Sequence, residues 1–355
     1  MKKVLFVLSI GFLFSLTGIA QTKNVDVDNY SFNGAFRTTP LAPLNPLFYY
    51  YTVIIKPTAP ARKNISVAEI ANAVFVEGER RADVPANADL IIELNIGSIV
   101  VKSSTVKERT ESEKNKDGSV TTYYYYSVDV DYSFESDCVI RTQNEVLKKY
   151  DLISSTSSQR YRSGEYKTSK EAADFWNNNR DVLIADFYRN HSLESAKRVS
   201  SVASSNYGFP AVRGRDIIKI IDEKKHNENE AFRKATETLK SLLEAMTPDV
   251  PMDRERVEGV IEYFKSIPVK YTDPKSKADK NLRYAAYYNL CKIYIFLDEP
   301  DKVGEYADLI LSNGQDTKDC EHMKKAAEGV QKILDRTIIK TRHFSPDQYY
   351  PEIVE

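Results

Sequence analysis

The sequence predicts an α+β fold: an antiparallel β-meander with packed helices, followed by an all-α domain of helical hairpins. Three observations carry this expectation. Along residues 124–134, Tyr124, Tyr126, Val128, Val130, Tyr132 and Phe134 share one face, and Ser127, Asp129, Asp131 and Ser133 share the other. One apolar face and one wet face belong to an antiparallel sheet. Along residues 228–335 the apolar side chains recur instead at helical spacing, as in Ala231, Ala235, Leu239, Leu242 and Leu243. Between the two regimes, Pro210 and Gly214 interrupt residues 209–215, where a domain boundary is expected.

Residues 1–20 carry the marks of a secretory signal peptide. Lys2 and Lys3 precede an apolar run from Val4 to Leu16, and Thr17, Gly18, Ile19 and Ala20 supply small residues before Gln21. Cleavage near Ala20 predicts export to the periplasm or the extracellular space. The run is shorter than the roughly 20 apolar residues that cross a bilayer, and no other segment approaches that length. A lipid-anchored form would need a cysteine just after the run, and the first is Cys138.

Residues 21–46 read as an extended strap, since Pro40, Pro43 and Pro46 remove donors and fix φ. Residues 47–56 (LFYYYTVIIK) form a strand by β-branched and aromatic content, stopped by Pro57 and Pro60. Ser66 and Glu69 make a capping box for a helix over residues 66–78. Residues 90–101 form one strand whose apolar face switches after Gly97–Ser98, which predicts a β-bulge with Ile96 and Ile99 both buried. Asp117–Gly118 closes a hairpin with charged arms that project into water. Residues 138–141 and 146–153 complete a four-stranded meander, and residues 154–167 read as a loop. Helices follow over 168–190 and from 192 to before Gly208. The predicted domains are residues 47–209 (α+β) and 210–340 (helical), with a tail over 341–355. In the helical half, caps and prolines mark helices over 228–246, from Asp253 to before Pro268, and over 280–297, 302–311 and 317–335.

Composition narrows function by exclusion. Removal of Lys2 and Lys3 leaves 48 basic against 51 acidic residues, so there is no basic excess to draw a phosphate backbone, and no nucleic-acid partner is expected. Cys138, Cys291 and Cys320 are too few for a disulfide scaffold, and all three are expected as buried free thiols. Cys291 and Cys320 are the one pair that could join.

The helices over 280–297 and 302–311, joined by Asp298–Glu299–Pro300, carry Tyr287, Leu290 and Tyr294 in the first helix and Val303 and Ala307 in the second. This pair resembles a tetratricopeptide repeat (TPR). It departs from the family at Cys291, at Val303 and Ala307, and at Gln315, which stands where the repeat ends in proline. The resemblance implies a scaffold that contacts peptides or proteins, with Tyr287 and Tyr294 on the contacting helix, and implies no chemistry. The plan of signal peptide, sheet domain and repeat-like helices is similar to that of exported bacterial proteins of unknown function.

No phosphate-cradling glycine loop, nucleophile elbow, zinc helix motif or paired C-x-x-C occurs. The histidines are His191, His226, His322 and His343, and none has another at i+3 or i+4. Cys320 and His322, two residues apart on a helix, point in different directions. Asp129 and Asp131 are read as charges on the wet face of their strand. No cofactor, metal or catalytic residue is expected, and the chain is read as a non-enzymatic protein that works through protein–protein contacts. Tyr123 and Tyr125, off the core face of the projecting arm, are the candidate contact residues together with Tyr287 and Tyr294. The alternative is a module that binds a glycan, as on a cell surface, or a small ligand through exposed tyrosines.

Overall fold

In the computed structural model, residues 25–44, 50–222, 224, 226–314, 317–336 and 340–346 are described. The predicted signal peptide, residues 47–49 of the first predicted strand, and Gln315 lie outside them. The first half holds β1 (Val27–Arg37), β2 (Tyr50–Pro57), α1 (Ala59–Asn64), α2 (Val67–Ala73), β3 (Arg80–Arg81), β4 (Leu90–Ile96) and β5 (Val100–Lys114). After these come β6 (Val120–Ser133), β7 (Ser136–Arg141), β8 (Val146–Ile153), β9 (Ser158–Arg162), α3 (Ser169–Tyr207) and β10 (Ala211–Ile221). The rest is helical: α4 (Asn229–Ala245), α5 (Arg254–Lys270), α6 (Lys277–Phe296), α7 (Pro300–Ser312) and α8 (Thr317–Asp335). The class is α+β.

The strands form two sheets and a ribbon. One sheet has the order β3-β2-β4-β7-β8, the second β5-β6-β9, and β1 pairs with β10. The predicted meander is present but divided between the sheets. Residues 90–101 are therefore two strands, not one strand with a bulge at Gly97. The N–H of Gly97 donates to the carbonyl of Glu135 at 2.9 Å, and a Cβ at Gly97 would lie 2.2 Å from Glu135 Cγ. Only glycine permits that approach. The opposite arm breaks at the same level, between β6 and β7. Thus β4–β5 and β6–β7 make one long hairpin bent once. The buried face does switch: Ile96 is buried, and Ile99 packs half-buried against two clusters. A change of sheet causes the switch. The irregularity in pairing lies farther on, between Val101 and Ser103.

Two segments read as irregular are strands. β1 occupies the predicted strap because its prolines all follow Arg37 and leave the donors of residues 27–37 intact. β9 occupies the predicted loop, where Tyr161 pairs with Val130. β10 likewise runs through Gly214. β2 and β4 are parallel, and the crossover between them contains α1, unexpected from sequence, whose Pro60 sits in the first turn where no helical donor is lost. α2 stops at Ala73, short of Gly78.

α3 is one continuous helix of 39 residues, where two are expected. Thr168 and Glu171 complete its capping box. Ser192, read as the start of a second helix, is buried mid-helix as a small packing residue. Farther along, Ser200 Oγ accepts from the N–H of Phe75 at 3.0 Å and Ser204 Oγ from that of Glu77 at 2.9 Å. Small polar side chains thus hold residues 74–77, which end α2, against the helix. α5 continues through Pro268, which lies in its last turn, to Lys270.

The chain divides into two compact units. One takes the described residues within Met1–Gly34, Gly214–Met246 and Met252–Gln331; the other takes those within Ala35–Arg213, Thr247–Pro251 and Lys332–Glu355. In the second, Ile92, Leu94 and Ile140 pack on Ala196, Val199 and Ala203 of α3, while Val128, Val130 and Tyr132 pack on Trp176 and Phe187. In the first, the buried Asn289 side chain brackets β10, accepting from the N–H of Lys219 at 2.7 Å and donating to its carbonyl at 2.9 Å. Phe32 meets Phe296 edge-on at 5.4 Å.

Candidate functional site

The β5–β6 hairpin outruns its sheet. β9 pairs with Asp129–Ser133 of β6, and Tyr166 makes one further bridge to Tyr126. Outward from Arg109 and Tyr125 the hairpin continues as a two-stranded ribbon to Lys114 and Val120. Six residue pairs span about 20 Å at ~3.4 Å per residue. The ribbon closes in a turn at Gly118, whose φ of 84° suits glycine, with Asp117 accepting from the N–H of Ser119 at 3.0 Å.

Residues opposite each other share a face, so the register defines two chemically distinct sides. On one side Tyr125 faces Arg109, Tyr123 faces Glu111 and Thr121 faces Glu113. The Arg109 guanidinium lies 4.6 Å from the Tyr125 ring centre and donates to both oxygens of Glu165, at 2.8 and 3.0 Å. Lower on this side, Arg162 donates to both oxygens of Asp129, at 2.6 and 2.8 Å, and Arg160 reaches Asp131 at 3.0 Å. The Arg162 guanidinium holds the Asp129 carboxyl below its usual pKa range. Asp129 is accordingly buried beneath Arg162, not displayed on a wet face.

On the other side Tyr124 faces Thr110, and Thr122 faces Ser112. This patch is uncharged only between Glu108, which faces Tyr126 at its base, and Lys114, which faces Val120 at its tip. Tyr124 is 52 % exposed and Val120 62 %. The strict alternation of the sequence assigned Tyr124 to the core face. The face is the right one, but the core beneath it ends at Tyr126, where the helix α3 and β9 give out.

The candidate contact residues separate. Tyr123 is exposed on the charged side, and Tyr125 is half-buried under Arg109. Tyr287 and Tyr294 belong to the helical unit and are 8 % and 3 % exposed. Tyr294 stacks on Tyr306 with ring centres 5.5 Å apart. Their positions within the α6–α7 hairpin give them to packing. Tyr124 is the arm aromatic that sequence alternation alone did not single out; the signal for it was that its cross-strand partners are neutral.

Two further places were candidates for chemistry. An open polar cleft of about 640 Å³ lies beyond the carboxyl ends of β2 and β4, lined among others by Lys56, Arg62, Asn95, Asp137, Asp151 and Ser154. Asn95 donates to Asp137 at 2.6 Å. Its charges are of both signs. Cys138, Cys291 and Cys320 are buried free thiols. Burial pushes Cys138 and Cys291 up to about 12, which leaves them protonated and poor nucleophiles. Cys320 is buried while His322 is exposed. His191 is partly buried, with Nε2 at 3.0 Å from the Tyr132 hydroxyl and its ring stacked on Phe134. Among the described residues, no group of three His, Cys, Asp or Glu side chains is arranged to hold a metal ion, and no helix is long and apolar enough to cross a membrane. No protein family matches the chain, and comparison with curated proteins yields no match.

Proposed function

We propose that this chain is an exported, non-enzymatic protein that acts by docking a partner protein on the β5–β6 arm. The observation that supports the reading is the Tyr124 side of the ribbon, uncharged between Glu108 and Lys114, whose opposite side carries Arg109 paired with Glu165 and Glu111. Tyrosine, threonine and serine with little charge are the composition that protein contacts favour, because the ring supplies area at small entropic loss and the hydroxyls supply adaptable donors. The signal-peptide reading places that contact in the periplasm or outside the cell. The TPR-like α6–α7 hairpin then belongs to the scaffold, since its aromatic residues are consumed by packing.

The test is capture from the exported fraction with the full chain as bait. Tyr124→Glu and Thr122→Arg, each at an exposed position, should abolish capture of the partner without changing the melting temperature. Tyr123→Glu, on the charged side, should leave capture intact. Loss of capture with Tyr123→Glu and retention with Tyr124→Glu would refute the assignment of the face. The second reading, a glycan or small-ligand module, draws on the same exposed ring and on the polar cleft at β2 and β4. It predicts binding to a glycan array that Tyr124→Ala removes and no protein captured.

A further inference from the structure

The arm has a second unused feature, its outer edge. β5 is the edge strand of its sheet, and its residues from Lys107 to Lys114 are all exposed. A long straight edge offers a row of unpaired N–H and C=O groups, and such rows pair with another strand unless something prevents it. Along this edge the sequence reads Lys107, Glu108, Arg109, Thr110, Glu111, Ser112, Glu113, Lys114. Charges alternate in a way that a generic strand would not match but a reversed copy does.

We propose that β5 pairs antiparallel with β5 of a second copy of this chain, about a two-fold axis at Thr110. Outward-pointing backbone groups recur at every second residue, so an antiparallel edge pair must be centred on a residue. Centring on Thr110 sets Arg109 opposite Glu111 of the second copy and Lys107 opposite Glu113 of the second copy. Symmetry repeats both pairs. Four opposite-charge pairs result, and no like charges meet. Centres at Lys107, Glu108, Arg109, Glu111 and Ser112 each oppose like charges, and a centre at Val106 opposes no charges of either kind. All four ion pairs fall on the charged side of the ribbon, where Arg109 already bonds Glu165 across β6 and Glu111 of its own strand, so the Glu111 of a second copy would join an existing ion network. The charges therefore act as a register lock: among these alignments of the chain with itself, they favour the one centred on Thr110. The inference concerns the edge and not the Tyr124 side, so either can fail while the other stands.

The experiment measures self-association of the full chain by sedimentation, with register read by crosslinking. The native thiols are buried, so a new surface cysteine reports alone. Thr110→Cys, which lies on the axis, should form an intermolecular disulfide on mild oxidation, and Ser112→Cys should not. K107E sets two like-charge pairs in place of two opposite ones and should weaken the dimer by about tenfold or more. The double variant K107E/E113K restores opposite charges and should restore the dimer. Glu113 lies out on the ribbon, whereas Lys107 faces Ser127 and its charge acts on Asp129, so the melting temperature is measured for both variants, and the proposal requires the double variant to recover the dimer. A chain that stays monomeric at 100 µM-scale concentrations (roughly the range where weak interfaces assemble) overturns the proposal. So does a dimer that is indifferent to K107E, or one that crosslinks through Ser112→Cys and not Thr110→Cys.

Discussion

His191 shows how one partly buried side chain couples stability to pH. Its ring stacks on Phe134 with centres 5.1 Å apart, its Nε2 meets the Tyr132 hydroxyl, and Glu194 Oε2 stands 3.5 Å from Nδ1. Burial lowers its pKa, and Glu194 opposes that only in part. The unfolded chain, with an ordinary histidine near pH 6.5, therefore takes up the proton first as the pH falls. The stabilisation is complete above about pH 6.5 and is lost below it. Thermal melts between pH 8 and pH 5 should show a steeper decline for the native chain than for His191→Gln. Parallel declines would show that His191 is not held neutral. The sequence did not reveal this residue, because a lone histidine carries no pattern; its partners come from β6, some 59 positions away. The pairing of Asp129 with Arg162 was hidden for the same reason. Local alternation placed Asp129 on the wet side correctly, and a strand read as a loop then covered it.

At the scale of elements, the bend at Gly97 organises the strand region. A Cβ there would press on Glu135 Cγ and lie 2.8 Å from the Glu135 carbonyl oxygen. Gly97→Ala should therefore destabilise the protein by about 1–3 kcal/mol, the usual range for overpacking a close contact, as measured by urea unfolding. A change below ~0.5 kcal/mol would mean that the two arms can part without loss and that the bend is not fixed there. Much of this level was legible in the residues. The period of two in β6, the turn at Asp117–Gly118, the cap at Thr168 and the five helices α4 to α8 all follow from local pattern. The face switch after Ile96 was legible too, but its cause was not, because a bulge and a change of sheet leave the same trace in one strand. The misread segments share a physical reason. β1, β9 and β10 are held by partners remote in sequence, and α3 continues through serines whose capping preference is overridden once they are buried against residues 74–77.

At the scale of the whole molecule, the proposed docking function requires an arm that serves contact and not stability. Its residues 107–120 include Val120 as the one apolar aliphatic side chain, and that side chain is exposed. Ordering such a ribbon gains little from burial, so removing it should lose little. The α+β plan was readable from the sequence, whereas the site was readable only as far as the arm itself: which side of the ribbon is free depends on Arg109, Arg160 and Arg162, none of which advertises its partner locally. The most direct measurement deletes residues 108–116, rejoins the strands through Asp117–Gly118, and compares the shortened and native chains for melting temperature and for partner capture from the exported fraction. The K107E chain is carried alongside, since it should lose self-pairing and keep capture. The expected result is a melting temperature within about 2 °C of native, in keeping with a stability change under ~0.5 kcal/mol, together with complete loss of the captured partner. Capture that survives the deletion, or a melting temperature that falls by about 5 °C or more, corresponding to ~1–2 kcal/mol, would contradict it.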